Sequence, residues 1–117
     1  MAAGYHHFII EQGATFSHTL TLKDSSGTVI NLTGYPSAEM DLRRNQDDSS
    51  EVLTLTTANG RITLGGSAGT ITLEISNTDT SALTVGDGVY DLELVDSENK
   101  VLRIMEGTYS IRGNVSR

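Results

Sequence analysis

Through most of this chain an aliphatic side chain recurs at every second position, and clusters of glycine and small polar residues separate the runs. Phe16, Leu20 and Leu22 share one parity, with Ser17, Thr19 and Thr21 on the other. Ala38, Met40 and Leu42 alternate with Glu39, Asp41 and Arg43, and Leu53 and Leu55 with Thr54 and Thr56. Ile71, Leu73 and Ile75 alternate with Thr70, Thr72 and Glu74, and Tyr90, Leu92 and Leu94 with Asp91, Glu93 and Val95. Successive side chains of a strand point to opposite faces, so each run reads as a strand buried on one side. Such strands, recurring every 8–12 residues or so, fit a sandwich or barrel, and one apolar face per strand favours two antiparallel sheets.

The punctuation between the runs sets the expected connections. Lys23-Asp24-Ser25-Ser26-Gly27 is a turn cluster that joins the second strand to Thr28–Leu32 as a hairpin. Thr33-Gly34-Tyr35-Pro36 breaks the sheet, and the acid-rich stretch Asn45 to Ser50 is a surface loop. Asn59-Gly60 is the strongest short hairpin signal, with Ile62 and Leu64 on its far side. Gly65 to Gly69 makes a second glycine-rich turn, Asp87-Gly88 a third, and Asp96 to Lys100 a polar hairpin loop. Ser76 to Leu83 breaks the alternation and predicts one short helical turn near residues 78–83, with Leu83 packed inward. The parity of the last strand changes between Ile104 and Tyr109, which predicts a β-bulge at Glu106-Gly107. Residues 1–12 form an N-terminal arm or first strand, 13–112 the sandwich, and 113–117 a polar tail.

The 117 residues suffice for one domain and not for a second core. Two Phe, four Tyr and no Trp make that core aliphatic. A net charge of −7, with only Arg43 and Arg44 adjacent among the basic residues, disfavours a phosphate backbone, so no nucleic-acid partner is expected. With no cysteine there is no disulfide, thiolate zinc site or thiol nucleophile. No apolar run reaches the ~18–20 residues that cross a bilayer as a helix, and the N-terminus lacks the basic-then-apolar order of a signal peptide. Neither membrane insertion nor secretion through such a peptide is expected.

Few residues invite chemistry. His6 and His7 are neighbours and point to opposite faces of a strand, so they do not chelate together, and His18 is distant in sequence. His18 reads as a half-buried ring at a sheet edge. Asp91 and Glu93 project from one face, yet no calcium loop and no paired base accompany them, and a solvated polar face accounts for them. No Gly-x-Ser-x-Gly elbow appears, and a strand follows the Gly65–Gly69 turn where a phosphate-binding loop needs a helix. The expectation is no enzyme, no catalytic or metal-binding residue and no cofactor. The candidate protein-contact residues are Tyr5, Phe8 and Ile10 on an apolar arm, which could add a strand to a neighbour's edge, together with Tyr35.

The chain resembles a family of short phage and prophage proteins related to the N-terminal domain of the upper baseplate protein of lactococcal phages. The matching stretches are Glu11-Gln12-Gly13-Ala14-Thr15-Phe16, Asn31-Leu32-Thr33-Gly34-Tyr35, Ile62-Thr63-Leu64-Gly65-Gly66 and Gly69-Thr70-Ile71-Thr72-Leu73. Tyr90-Asp91-Leu92-Glu93-Leu94 and Glu106-Gly107-Thr108 complete the set, in family order across nearly the whole chain. The resemblance implies a single immunoglobulin-like antiparallel β-sandwich in a virion. It implies a structural docking or adaptor protein of the tail, baseplate or fibre-attachment region, with other phage virion proteins as partners in a symmetric multi-copy assembly. The longer baseplate proteins carry a further region after this domain; its absence here turns the expectation from host recognition towards an adaptor, a tail decoration or a head-surface decoration protein. A carbohydrate- or host-surface-binding module is the alternative from another class, and it needs exposed aromatic rings.

Overall fold

A computed structural model describes residues 4–113. The alternating runs become strands β1 (Gly4–Glu11), β2 (Phe16–Thr21), β3 (Ser37–Arg43), β4 (Leu53–Thr56), β5 (Ile62–Leu64), β6 (Thr70–Ile75), β7 (Gly86–Val95) and β8 (Val101–Arg112). One sheet runs β1-β8-β7-β3-β4 and the other β2-β6-β5. With β2 to β8 standing for strands B, C, C′, D, E, F and G, these are the C′CFG and BED sheets of an immunoglobulin-like sandwich. Its two inner faces form an aliphatic core in which Leu42, Leu55, Ile71, Leu73 and Leu92 are fully buried. Each such side chain contributes about 1.5–3 kcal/mol by leaving water.

One pair departs from the expected antiparallel pattern: β1 lies parallel to β8, with Phe8 opposite Tyr109 and Ile10 opposite Ile111. The short connection Gln12 to Thr15 carries the chain from one sheet to the other. β1 therefore does not hairpin with β2 and pairs instead with the last strand. It is the first strand of the sandwich, and its Phe8 and Ile10 belong to the core. Gly113 follows β8, and the rest of the expected tail lies outside the described residues.

Four local expectations are corrected. Asn59-Gly60 does not close a hairpin, because β4 and β5 sit in different sheets. It turns the corner between them. Asn59 Oδ1 accepts from the N–H groups of Thr56 (3.0 Å) and Arg61 (3.1 Å), and its Nδ2 donates to the Thr54 carbonyl (3.0 Å). The Lys23–Gly27 turn folds the chain back as expected, with Lys23 bridging Val29 antiparallel and Ile30 N–H donating to the Leu22 carbonyl at 2.9 Å, but Thr28–Leu32 forms no regular strand, and Leu32 N–H turns to the Gly66 carbonyl at 2.9 Å. Asp87-Gly88 lies inside β7, where a Cβ on Gly88 would collide with the Arg43 carbonyl and the Tyr109 hydroxyl. A glycine there marks close approach of a neighbour and not a turn. The β-bulge of β8 comes earlier than expected. Leu92 pairs with Met105 and Glu93 with Arg103, so Ile104 is the extra residue.

The predicted helical turn is α1 (Asn77–Ser81), capped by Ser76 Oγ, which accepts from Asp79 N–H at 3.2 Å. Leu83 packs inward as expected. Thr80 is completely buried. Its hydroxyl accepts from Gly13 N–H at 3.1 Å and lies within donating distance of the carbonyls of Ala14 (2.9 Å) and Asn77 (3.1 Å). This one side chain ties α1 to the crossing between the sheets.

Candidate interaction surface

β1 is the outermost strand of the five-stranded sheet, so the side facing away from β8 has no partner strand among the described residues. The other free edges are shorter: β4, β5 and β2 have 4, 3 and 6 residues against 8 in β1. An unpaired edge offers its N–H and C=O groups to another chain unless proline, lysine or a bulge blunts it. β1 has no proline, lysine or bulge, and Glu11 is its one acid. Alternation divides its side chains. Phe8 and Ile10 point into the core, while Tyr5 (73% exposed) and Ile9 (44%) stand on the outer face.

Of the four expected contact residues, Tyr5 alone is largely exposed. Phe8 and Ile10 lie on the first strand of the sandwich and not on a free arm, and burial in their own core leaves them no surface to offer. Tyr35 is half-buried against the core beside a loop. Ile9 was missed, although parity alone assigns it to the face of Tyr5 once Phe8 and Ile10 are seen to be inward.

His6 and His7 diverge as expected. His7 stands on the outer face, with Nδ1 2.6 Å from Thr108 Oγ1 and Nε2 3.2 Å from Ser110 Oγ, both on β8. His18 is half-buried on the edge strand β2. The pairing of His6 with His18 was missed: their ring centroids lie 5.3 Å apart, and Phe8 meets both edge-on at 4.6 and 5.0 Å. Together with Phe16 they line a cleft of about 350 Å³ between the edges of the two sheets. Burial, and then the neighbouring His6, lower the His18 pKa. Sharing the inward parity of Phe8 and Phe16 was the available signal. Among the described residues no group of three His, Asp or Glu side chains could hold a metal ion.

The outer face of the same sheet is acidic. Glu93 lies directly opposite Glu39, and Asp91 opposite Asp41. Like charges so placed destabilise a sheet. Arg43 partly offsets this at 3.5 Å from Asp41, and Arg103 at 3.4 Å from Asp91. Asp41 Oδ1 is nonetheless buried without a hydrogen-bond partner. Burial first, and then the adjacent carboxylates, raise the pKa values of Glu39 and Glu93. Near Tyr5 this face dips into a cavity of about 280 Å³ lined also by Asp41, Arg43, Asp91 and Arg103.

No family model matches the chain, and no curated protein matches it.

Proposed function

We propose that this domain is a structural docking component of a tailed-phage virion, in the tail, baseplate or fibre-attachment region. The free edge of β1, long and without proline or lysine, with Tyr5 and Ile9 exposed beside it, carries the reading. The strand-and-turn stretches quoted above support the phage assignment. A rigid sandwich holds the edge straight, so a neighbour's extended segment gains main-chain hydrogen bonds without first ordering the domain. Many copies in one particle supply avidity, and each contact can be weak. The mechanism is passive and needs no cofactor.

Locating the polypeptide in purified particles tests this reading. The expected result is stoichiometric incorporation, reduced by Ile9→Lys, which places a charge beside the edge without touching the core. Particles that assemble fully and contain none of the chain overturn it. A second reading, a carbohydrate-binding module, rests on the exposed Tyr5 ring at the rim of the Asp91–Arg103 cavity. Glycan-array binding that disappears in Tyr5→Ala and survives in Ile9→Lys selects it over docking.

A further inference from the structure

We propose that the free edge of β1 takes the β1 strand of a second copy, paired antiparallel about a two-fold axis at His7. The proposal rests on reading that edge as a docking site. Residues opposite one another in an antiparallel pair share a face, so the axis of a self-paired strand must pass through a residue. Axes at His7 and at Phe8 give the longest overlaps of Gly4–Glu11 with itself. An axis at Phe8 sets Tyr5 against the second copy's Glu11 and His7 against its Ile9. An axis at His7 sets Tyr5 against the second copy's Ile9 on the outer face, twice by symmetry, and His6 against its Phe8 on the inner face. Aromatic with β-branched is among the favourable cross-strand pairs. Both exposed apolar residues of the strand are thereby covered, and Glu11 falls beyond the second copy's Gly4.

Charge is compatible with this arrangement despite the net −7 of each chain. The carboxylates of Glu39, Asp41, Asp91 and Glu93 lie on β7 and β3, separated from the free edge by both β1 and β8. Two strand spacings amount to about 10 Å, beyond the screening length of ~8 Å at physiological salt. The exposed acids nearest the edge are Glu11, at the end of β1 and outside the paired overlap, and Glu106, beside Tyr5 on β8. A two-fold contact also closes on itself, whereas parallel addition would leave one edge open for further chains.

The absence of cysteine makes the test clean. Only on the axis does a residue face its own copy, and the opposed Cα atoms of an antiparallel pair lie about 4.5–5.5 Å apart, within disulfide range. His7→Cys is therefore expected to oxidise to a covalent dimer, about 10-fold faster than an exposed Val85→Cys control, because paired thiols react at their effective concentration. Unmodified protein is expected to approach twice its 12.5 kDa mass as its concentration rises in sedimentation equilibrium, and Ile9→Lys to stay monomeric while keeping its β circular-dichroism spectrum. A chain that remains monomeric at every concentration overturns the proposal, as does a dimer that His7→Cys fails to cross-link. If such a monomer still enters particles in an Ile9-dependent way, the docking reading stands and the two-fold pair does not.

Discussion

At the scale of single residues, two sets of titratable groups act against each other. Glu39 and Glu93 lie on a surface where burial and the neighbouring carboxylates raise both pKa values. A raised carboxyl binds its proton more tightly in the folded than in the unfolded chain. Folding therefore gains as pH falls from the raised values towards the ordinary ~4.3 of glutamate. Glu93→Gln is expected to stabilise the domain at pH 7 by about 0.2–1 kcal/mol, the size of a cross-strand pair effect, and to lose that advantage near pH 4. Thermal melts at the two pH values check it, and an equal gain at both would contradict the charge explanation. His18 works the other way. Its lowered pKa means that the unfolded chain takes the proton first, so its share of stability is full above ~6.5 and declines below. In His18→Gln the loss between pH 7 and pH 5 is expected to be smaller than in the unmodified chain. A loss of equal size would remove His18 as the cause.

At the scale of elements, small side chains and hydroxyls fix where strands and turns meet. Thr80→Val keeps the shape and removes the hydroxyl, leaving Gly13 N–H without its acceptor in a part-buried site. The expected cost is about 1–3 kcal/mol, read as a lower denaturant midpoint with an unchanged slope. Gly107 has a different role from the bulge that its sequence context suggested. A Cβ there would run into the backbone of His6 on β1. Gly107→Ala is expected to push β1 from β8 and lower the melting temperature by several degrees. Gly34→Ala, whose Cβ meets nothing within 4 Å, is expected to leave it unchanged or slightly higher. Period two legibly identified the strands, because burial of one face is written residue by residue. Asn59-Gly60, Asp87-Gly88 and Glu106-Gly107 misled because a glycine signal is degenerate. The same residue serves a hairpin, a corner between sheets or the close passage of another strand, and only tertiary placement separates the three.

At the scale of the molecule, the first strand decides how the sandwich is closed. Sequence alone allows an arm or a strand over residues 1–12, since β1 pairs with β8 about one hundred residues away and no local pattern encodes a contact so distant. Which of its residues remain outside is nevertheless legible: once the strand is in the sheet, alternation sends Phe8 and Ile10 inward and leaves Tyr5 and Ile9 exposed. Two kinds of change at β1 should therefore separate cleanly. Phe8→Ala removes a ring that packs against Phe16, Tyr90 and His18, at a cost of about 3–5 kcal/mol, a large share of the ~5–15 kcal/mol that holds a domain together. Deleting residues 1–11 takes away both Phe8 and Ile10 and strips β8 of one of its two neighbours. It is expected to abolish cooperative unfolding in circular dichroism. A detachable arm predicts the opposite, a truncated chain that melts like the whole one. Ile9→Lys, on the outer face of the same strand, should melt within about 0.5 kcal/mol of the parent and lose only association. The contrast between these variants tells whether one strand serves the core on its inner face and a partner along its edge.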